Sequence, residues 1–199
     1  IVEVELTAAP IKWDFGTGDL VDAWAYNGSI PGPTIEAFED DRVIVHFRNR
    51  LPFPSTVYWY GVETPAAMAG SSVSQIQVEP GEDFRYEFRV PRAATYFYRA
   101  GINSSSASEM GLCGTIIVED PGSDLRLNLP EQSHLLVLDD VPIAGGQIST
   151  APPGSPAQRA ERDINGREGN YFLVNGLASA IGTIDFTLPH RMHLINAAN

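Results

Sequence analysis

Thr56-Val57-Tyr58-Trp59-Tyr60-Gly61 reads as a short strand with alternating faces. Val57 and Trp59 point one way, Tyr58 and Tyr60 the other, because successive strand side chains alternate. Side chains two apart stand about 6.5–7 Å from each other on one side, a spacing that lets them converge on one object. Similar short runs lie on either side. Phe84, Tyr86, Phe88 and Val90 alternate with Arg85, Glu87 and Arg89, the clearest period-two pattern in the chain. Residues 1–6, 21–26, 34–38, 43–47, 74–78, 95–99 and 114–118 read as further strands. Turn signals separate them: Asn27-Gly28, Pro31-Gly32-Pro33, Asp40-Asp41 and Glu79-Pro80-Gly81. One short helix is predicted over residues 104–110, capped by its serines. Short strands at this spacing indicate an all-β sandwich or barrel.

Bulk properties narrow the function. With 199 residues, 43% of them apolar, 15 Pro and 18 Gly, the chain is globular and rich in turns. A net charge of −12 with 13 Lys and Arg argues against binding a phosphate backbone. No run approaches the roughly 18 apolar residues of a membrane span. Cys113 is the single cysteine, which excludes an internal disulfide and every multi-cysteine metal cluster. Pro121-Gly122-Ser123 reads as the end of a first domain. Beyond it, strands are expected at 135–138, 171–174, 184–188 and 192–195, with a Gly- and Pro-rich loop over 144–157. Four strands are thin for an independent sandwich.

Tyr26-Asn27-Gly28-Ser29-Ile30-Pro31-Gly32-Pro33-Thr34-Ile35, with Asp41-Arg42-Val43 and Asn49-Arg50-Leu51-Pro52, resembles the first-domain signature of the multicopper oxidases, which include laccases and bilirubin oxidases. Val78-Glu79-Pro80-Gly81, Gly111-Leu112-Cys113-Gly114 and Val118-Glu119-Asp120-Pro121 follow in the family's order. Val174-Asn175-Gly176 and Leu194-Ile195-Asn196-Ala197-Ala198 resemble the start of its second domain. The resemblance implies a complete cupredoxin-like (plastocyanin-like) Greek-key sandwich over residues 1–121. For residues 122–199 it implies a linker and the first part of a second such domain. A periplasmic or extracellular location is implied as well.

In that family the first domain offers two His-X-His pairs on neighbouring strands to a trinuclear copper cluster that reduces dioxygen to water. Strand alternation aims two neutral imidazoles the same way, and imidazole suits copper. The resemblance places the first pair on Tyr58 and Tyr60 and the second on Arg99 and Gly101. The acidic residue that usually follows Met in the loop between them falls on Ala69. A phenol ligates well only as phenolate, and phenols ordinarily titrate near pH ~10. Guanidinium is a permanent cation without a lone pair, and glycine has no side chain.

Two readings stand for these positions. In one, the former site is packed shut, with Arg99 lying against Tyr58 or Tyr60, a contact worth roughly 0.5–2 kcal/mol. In the other, a ligand or substrate site has been put to new use, with Tyr58, Tyr60 and Tyr98 as an aromatic pocket. A blue-copper site needs a Cys thiolate, two His and usually an axial Met. Cys113 has no His beside it and reads as a small buried apolar residue; Met68 and Met110 read as packing. His46 reads as a paired or surface residue, and His134 opens a strand with no nearby ligand pattern. His190 and His193 are three apart and so fall on opposite faces of their strand.

The expected function is a multicopper-oxidase-like chain that has lost its first-domain copper ligands and carries no cofactor of its own. It would act as a non-catalytic structural or partner-binding scaffold. The expected partner is another protein or the remainder of the same one, not nucleic acid, and no membrane span is expected. The alternative is part of a laccase-type, copper-dependent oxidoreductase with dioxygen as acceptor, whose ligands lie in missing sequence or another chain.

Overall fold

The computed structural model describes residues 1–122, 133–149, 169–178 and 190–198. In chain order the strands of the first part are β1 (Val2–Asp14), β2 (Leu20–Tyr26), β3 (Ile35–Phe38), β4 (Arg42–Asn49), β5 (Val57–Tyr60), β6 (Asp83–Arg89), β7 (Ala94–Ala100) and β8 (Cys113–Glu119). A short helix, α1 (Ser104–Glu109), joins the last two. The strands that follow are β9 (Ser133–Val141), β10 (Ile143–Ala144), β11 (Gln147–Ile148), β12 (Tyr171–Val174) and β13 (Arg191–Asn196).

Two sheets, ordered β2-β1-β4-β6 and β3-β8-β7-β5, close on one core. Period-two alternation supplies it. Val43, Val45 and Phe47 of β4 are fully buried, while Arg42 and Arg48 of the same strand are exposed. Leu6, Tyr26, Tyr86 and Trp59 fill the space between the sheets. This is the all-β, cupredoxin-like sandwich expected from the sequence.

Three local expectations are corrected. Residues 74–78 form a turn, not a strand: the amides of Ser74 and Gln75 donate to Ser71 O at 3.1 and 2.9 Å. The cause is Gln75, whose amide reaches inward to Gly70 N (2.8 Å) and to the Tyr86 hydroxyl (2.8 Å). Val78 alone bridges to Ser55, and Val73 and Ile76 face solvent. The serines do not cap α1; Asn103 precedes it at φ 49°, a left-handed conformation that Asn tolerates. Strand β1 continues to Asp14, well past residue 6, because β2 pairs with its second half. The strand expected at 184–188 lies outside the described residues.

The sheet β12-β9-β13 repeats β2-β1-β4 in order and direction, antiparallel on one side and parallel on the other. The repetition reaches single hydrogen bonds. Asn27 follows β2, accepts from Thr7 N (2.7 Å) and donates from its side-chain amide to Glu5 O (2.8 Å). Asn175 follows β12, accepts from Val137 N (2.8 Å) and donates to Leu135 O (2.8 Å). Both sit at positive φ, 52° and 51°, and each precedes a glycine. Beyond β4, Arg50 N donates to Ala8 O (2.8 Å); beyond β13, Ala197 N donates to Leu138 O (2.7 Å).

The correspondence makes Leu136, Met192, Leu194 and Phe172 the counterparts of Leu6, Val45, Phe47 and Trp24. Phe47 is 0% exposed, whereas Leu194 is 62% and Phe172 78% exposed. The face that forms the core in the first sandwich is open in the second sheet. The opposite face packs on the first sandwich. Val141, Ile148 and Leu173 cover Val21, Ala23 and Ala25 of β2, and Val137 and Ile195 meet Phe97 of β7. Ala178 N donates to Phe15 O (2.7 Å), and Arg191 pairs with Glu119 at 3.4 Å.

Asp139 is held at this junction. Burial first, and the neighbouring Asp140 charge, push its carboxyl up to about 6, against the hydrogen bond from Asp140 N. A carboxyl raised on folding holds a proton that the unfolded chain has released, so stability falls as pH rises from about 4 to 6. Asp139→Asn should match the parent at pH ~4 and exceed it by about 3 kcal/mol well above pH ~6, read from urea midpoints across that range. Equal midpoint differences at every pH would refute the assignment.

Candidate functional site

Strand β5 is fixed by its inward residues. Trp59 is buried against Tyr86, Phe88 and Tyr98, with ring centroids 5.2, 4.9 and 5.7 Å away. With the indole inward, Tyr58 and Tyr60 must face outward, and they lie edge to face with centroids 4.6 Å apart. Across the ladder Arg99 stands directly opposite Tyr58. Its guanidinium carbon lies 4.6 Å from the Tyr60 ring centre, and Nη2 donates to the Tyr60 hydroxyl. Arg99, Tyr58 and Tyr60 therefore form one cluster.

Tyr98 does not join it. The ring points into the core, fully buried, and its hydroxyl donates to Pro33 O at 2.7 Å. The three-tyrosine pocket is thus corrected to a two-tyrosine surface cluster. Residues 98 and 99 are adjacent on a strand, so they cannot share a face.

Gly101 is walled off by main chain. Its amide donates to Thr56 O at 3.0 Å. A Cβ built on it would lie 2.1 Å from Gly70 O and 2.5 Å from Thr56 Oγ1. Gly70 is itself locked: it has φ +78°, and a Cβ there would meet Val57 O at 2.0 Å. Its amide donates to Gln75, and its carbonyl accepts from the Thr56 hydroxyl. Ala69 ends a single 3-10 turn over Ala66–Met68, and Met68 Sδ accepts from Glu87 N at 3.1 Å.

These residues do not fit copper. Arg99 brings a fixed positive charge, the Tyr60 hydroxyl already accepts from it, and position 101 has no room for an imidazole. Among the described residues, no three His, Cys, Asp or Glu side chains converge. Cys113 is buried, and burial first, then the Asp139 charge, pushes its thiol well up.

His46 is paired, as the sequence reading has it, and His134 departs from that reading. His46 meets Glu3 at 2.6 Å, and His193 Nδ1 meets Thr95 Oγ1 at 2.6 Å. His134 Nε2, for which no nearby ligand pattern is visible in the sequence, stands 2.9 Å from His190 Nδ1. Parallel pairing of β9 with β13 brings these two together across 56 residues of chain. Only that register reveals the pair.

The sandwich and its ordered turn motifs define a cupredoxin-type β protein. A family model described as multicopper oxidase matches residues 7–123, and the chain belongs to that family. It is 34% identical to the multicopper oxidase MmcO of Mycobacterium tuberculosis over 99% of this chain and 43% of that protein. It is 37% identical to an L-ascorbate oxidase of Cucumis sativus over 64% of this chain and 23% of that protein. A multi-copper oxidase crystal structure from Pseudomonas thermotolerans superimposes with a TM-score of 0.82 at 27% identity, covering 98% of this chain and 46% of that one. The chain spans less than half the length of each of these relatives.

Two outcomes follow from this packing. Gly101→Ala should destabilise the fold by about 2 kcal/mol or more through overpacking, while Arg99→Met should cost only about 1 kcal/mol, both measured by urea unfolding. A neutral Gly101→Ala would show that the wall yields. Cys113 should resist a thiol-alkylating reagent at pH ~8 until denaturant is added, since only thiolate reacts and burial disfavours it; rapid labelling of the folded protein would contradict this.

Proposed function

We propose that this chain is a multicopper-oxidase-type module whose first-domain copper positions, Tyr58, Tyr60, Arg99 and Gly101, carry no ligand, with Ala69 in place of the accompanying acid. Its role is that of a non-catalytic cupredoxin scaffold. The observation that carries this reading is the Gly70 carbonyl standing where a side chain at 101 would begin. Arg99 stacked on Tyr60 supports it independently.

In this reading residues 1–121 are one cupredoxin domain and residues 122–199 are a linker and the first part of a second. The internal repeat supports that division, since β9, β12 and β13 reproduce half of a sandwich and leave its core face uncovered. The partner is whatever supplies the facing sheet: the remainder of the same protein or another chain. The compartment that goes with the family is periplasmic or extracellular. A second reading, favoured by the chain spanning less than half of its relatives, makes it part of a laccase-type, copper-dependent oxidoreductase with ligands supplied from elsewhere.

Copper loading followed by dioxygen uptake with a phenolic dye tests the first reading. No uptake is expected, and none should appear when positions 58, 60, 99 and 101 are all changed to His. Metal content is read in a variant lacking the His134–His190 pair, so that copper held there is not counted. Stoichiometric copper in that variant, with dye oxidation, would establish the second reading instead.

A further inference from the structure

We propose that His134 and His190, with Met192 beside them, form a binding site for a copper(I) ion on the open face of the second sheet, remote from the Tyr58–Arg99 cluster. One imidazole stands on β9 and the other on the residue just before β13; they meet at 2.9 Å, their rings inclined by 32°. Met192 pairs directly with His134 in the β9–β13 register, so those two share one face, and the contact with His134 brings His190 to it. Both histidines are half-buried and Met192 is 42% exposed, which leaves the face open to an incoming ion.

The fold does not demand these residues. Their counterparts in the first sheet are Val4, Val43 and Val45, a plain aliphatic set. Val4 stays partly buried at the sandwich edge even though its own sheet is covered, so His134 occupies a rim position. The nitrogen separation is nearly right for a shared ion. Two nitrogens at about 2.0–2.1 Å from one tetrahedral ion stand ~3.3 Å apart, so a small rotation of each ring suffices.

As a neutral pair, one imidazole places its N–H between the rings and the other accepts. To bind an ion, the donor ring moves that proton to its other nitrogen, and both lone pairs then face the ion. No proton is released and no electron moves. Two imidazoles select late first-row ions over magnesium or calcium, and a thioether in the set favours copper(I) over zinc(II).

The test is anaerobic competition with a chromophoric cuprous chelator, on the full chain, repeated with zinc(II) against a zinc indicator. One equivalent of copper(I) should bind. His134→Val and His190→Val restore the residue type of the first sheet and keep the fold, checked by circular dichroism. Each should weaken copper(I) binding by about 100-fold or more, beyond the 10–100-fold cost of an outer-shell change. Met192→Leu should weaken copper(I) by about 10-fold, leave zinc(II) unchanged and remove the sulfur signal from the copper X-ray absorption edge. Copper retained by either His variant, or an absorption edge free of sulfur in the parent, overturns the proposal.

Discussion

Burial of Trp59 is the constraint from which the arrangement of the first domain follows. Removing a buried tryptophan from a core costs about 3–5 kcal/mol, whereas the Arg99–Tyr60 stacking is worth roughly 0.5–2. The core term wins. Strand β5 is oriented by its indole among Tyr86, Phe88 and Tyr98, and the outward residues take what the pleat leaves them. Tyr86 extends the same anchoring to the loops: its hydroxyl accepts from Val57 N and from Gln75, and Gln75 in turn holds Gly70. The wall behind Gly101 is therefore continuous with the core.

Much of this is legible in the chain itself. Alternation over 84–90 and 56–61 announces strands, and Asn-Gly pairs announce their turns, because both depend on neighbours in sequence. The outward pairing of Tyr58 with Tyr60 follows from the same local rule, whereas the expectation of Arg99 beside them comes from the family resemblance. What is not legible depends on partners far along the chain. Gly101 is visible as a missing side chain, but the carbonyl that fills its place belongs to residue 70. His134 and His190 look unrelated until parallel strands align them. The misread segment at 74–78 has the polar–apolar rhythm of a strand, yet one buried amide at Gln75 outweighs the pattern.

Arg99 and Gly101 are each consistent with their surroundings in chemical terms. A guanidinium needs an aromatic face and an acceptor, and Tyr60 offers both. A glycine permits close approach of another backbone, and Gly70 makes it. Each of these residues meets a neighbour, Arg99 at Tyr60 and Gly101 at Gly70.

The β1–β2 hairpin is buried on both sides, by the first core through Leu6 and Ala8 and by the second segment through Val21, Ala23 and Ala25. It is the shared wall of two compartments. The Asn27 and Asn175 clamps each close on their own sheet, Asn27 on Thr7 N and Glu5 O, Asn175 on Val137 N and Leu135 O. Assembly then has a natural direction. The first sandwich supplies the finished surface on which the second sheet is laid, in the order in which a ribosome releases them.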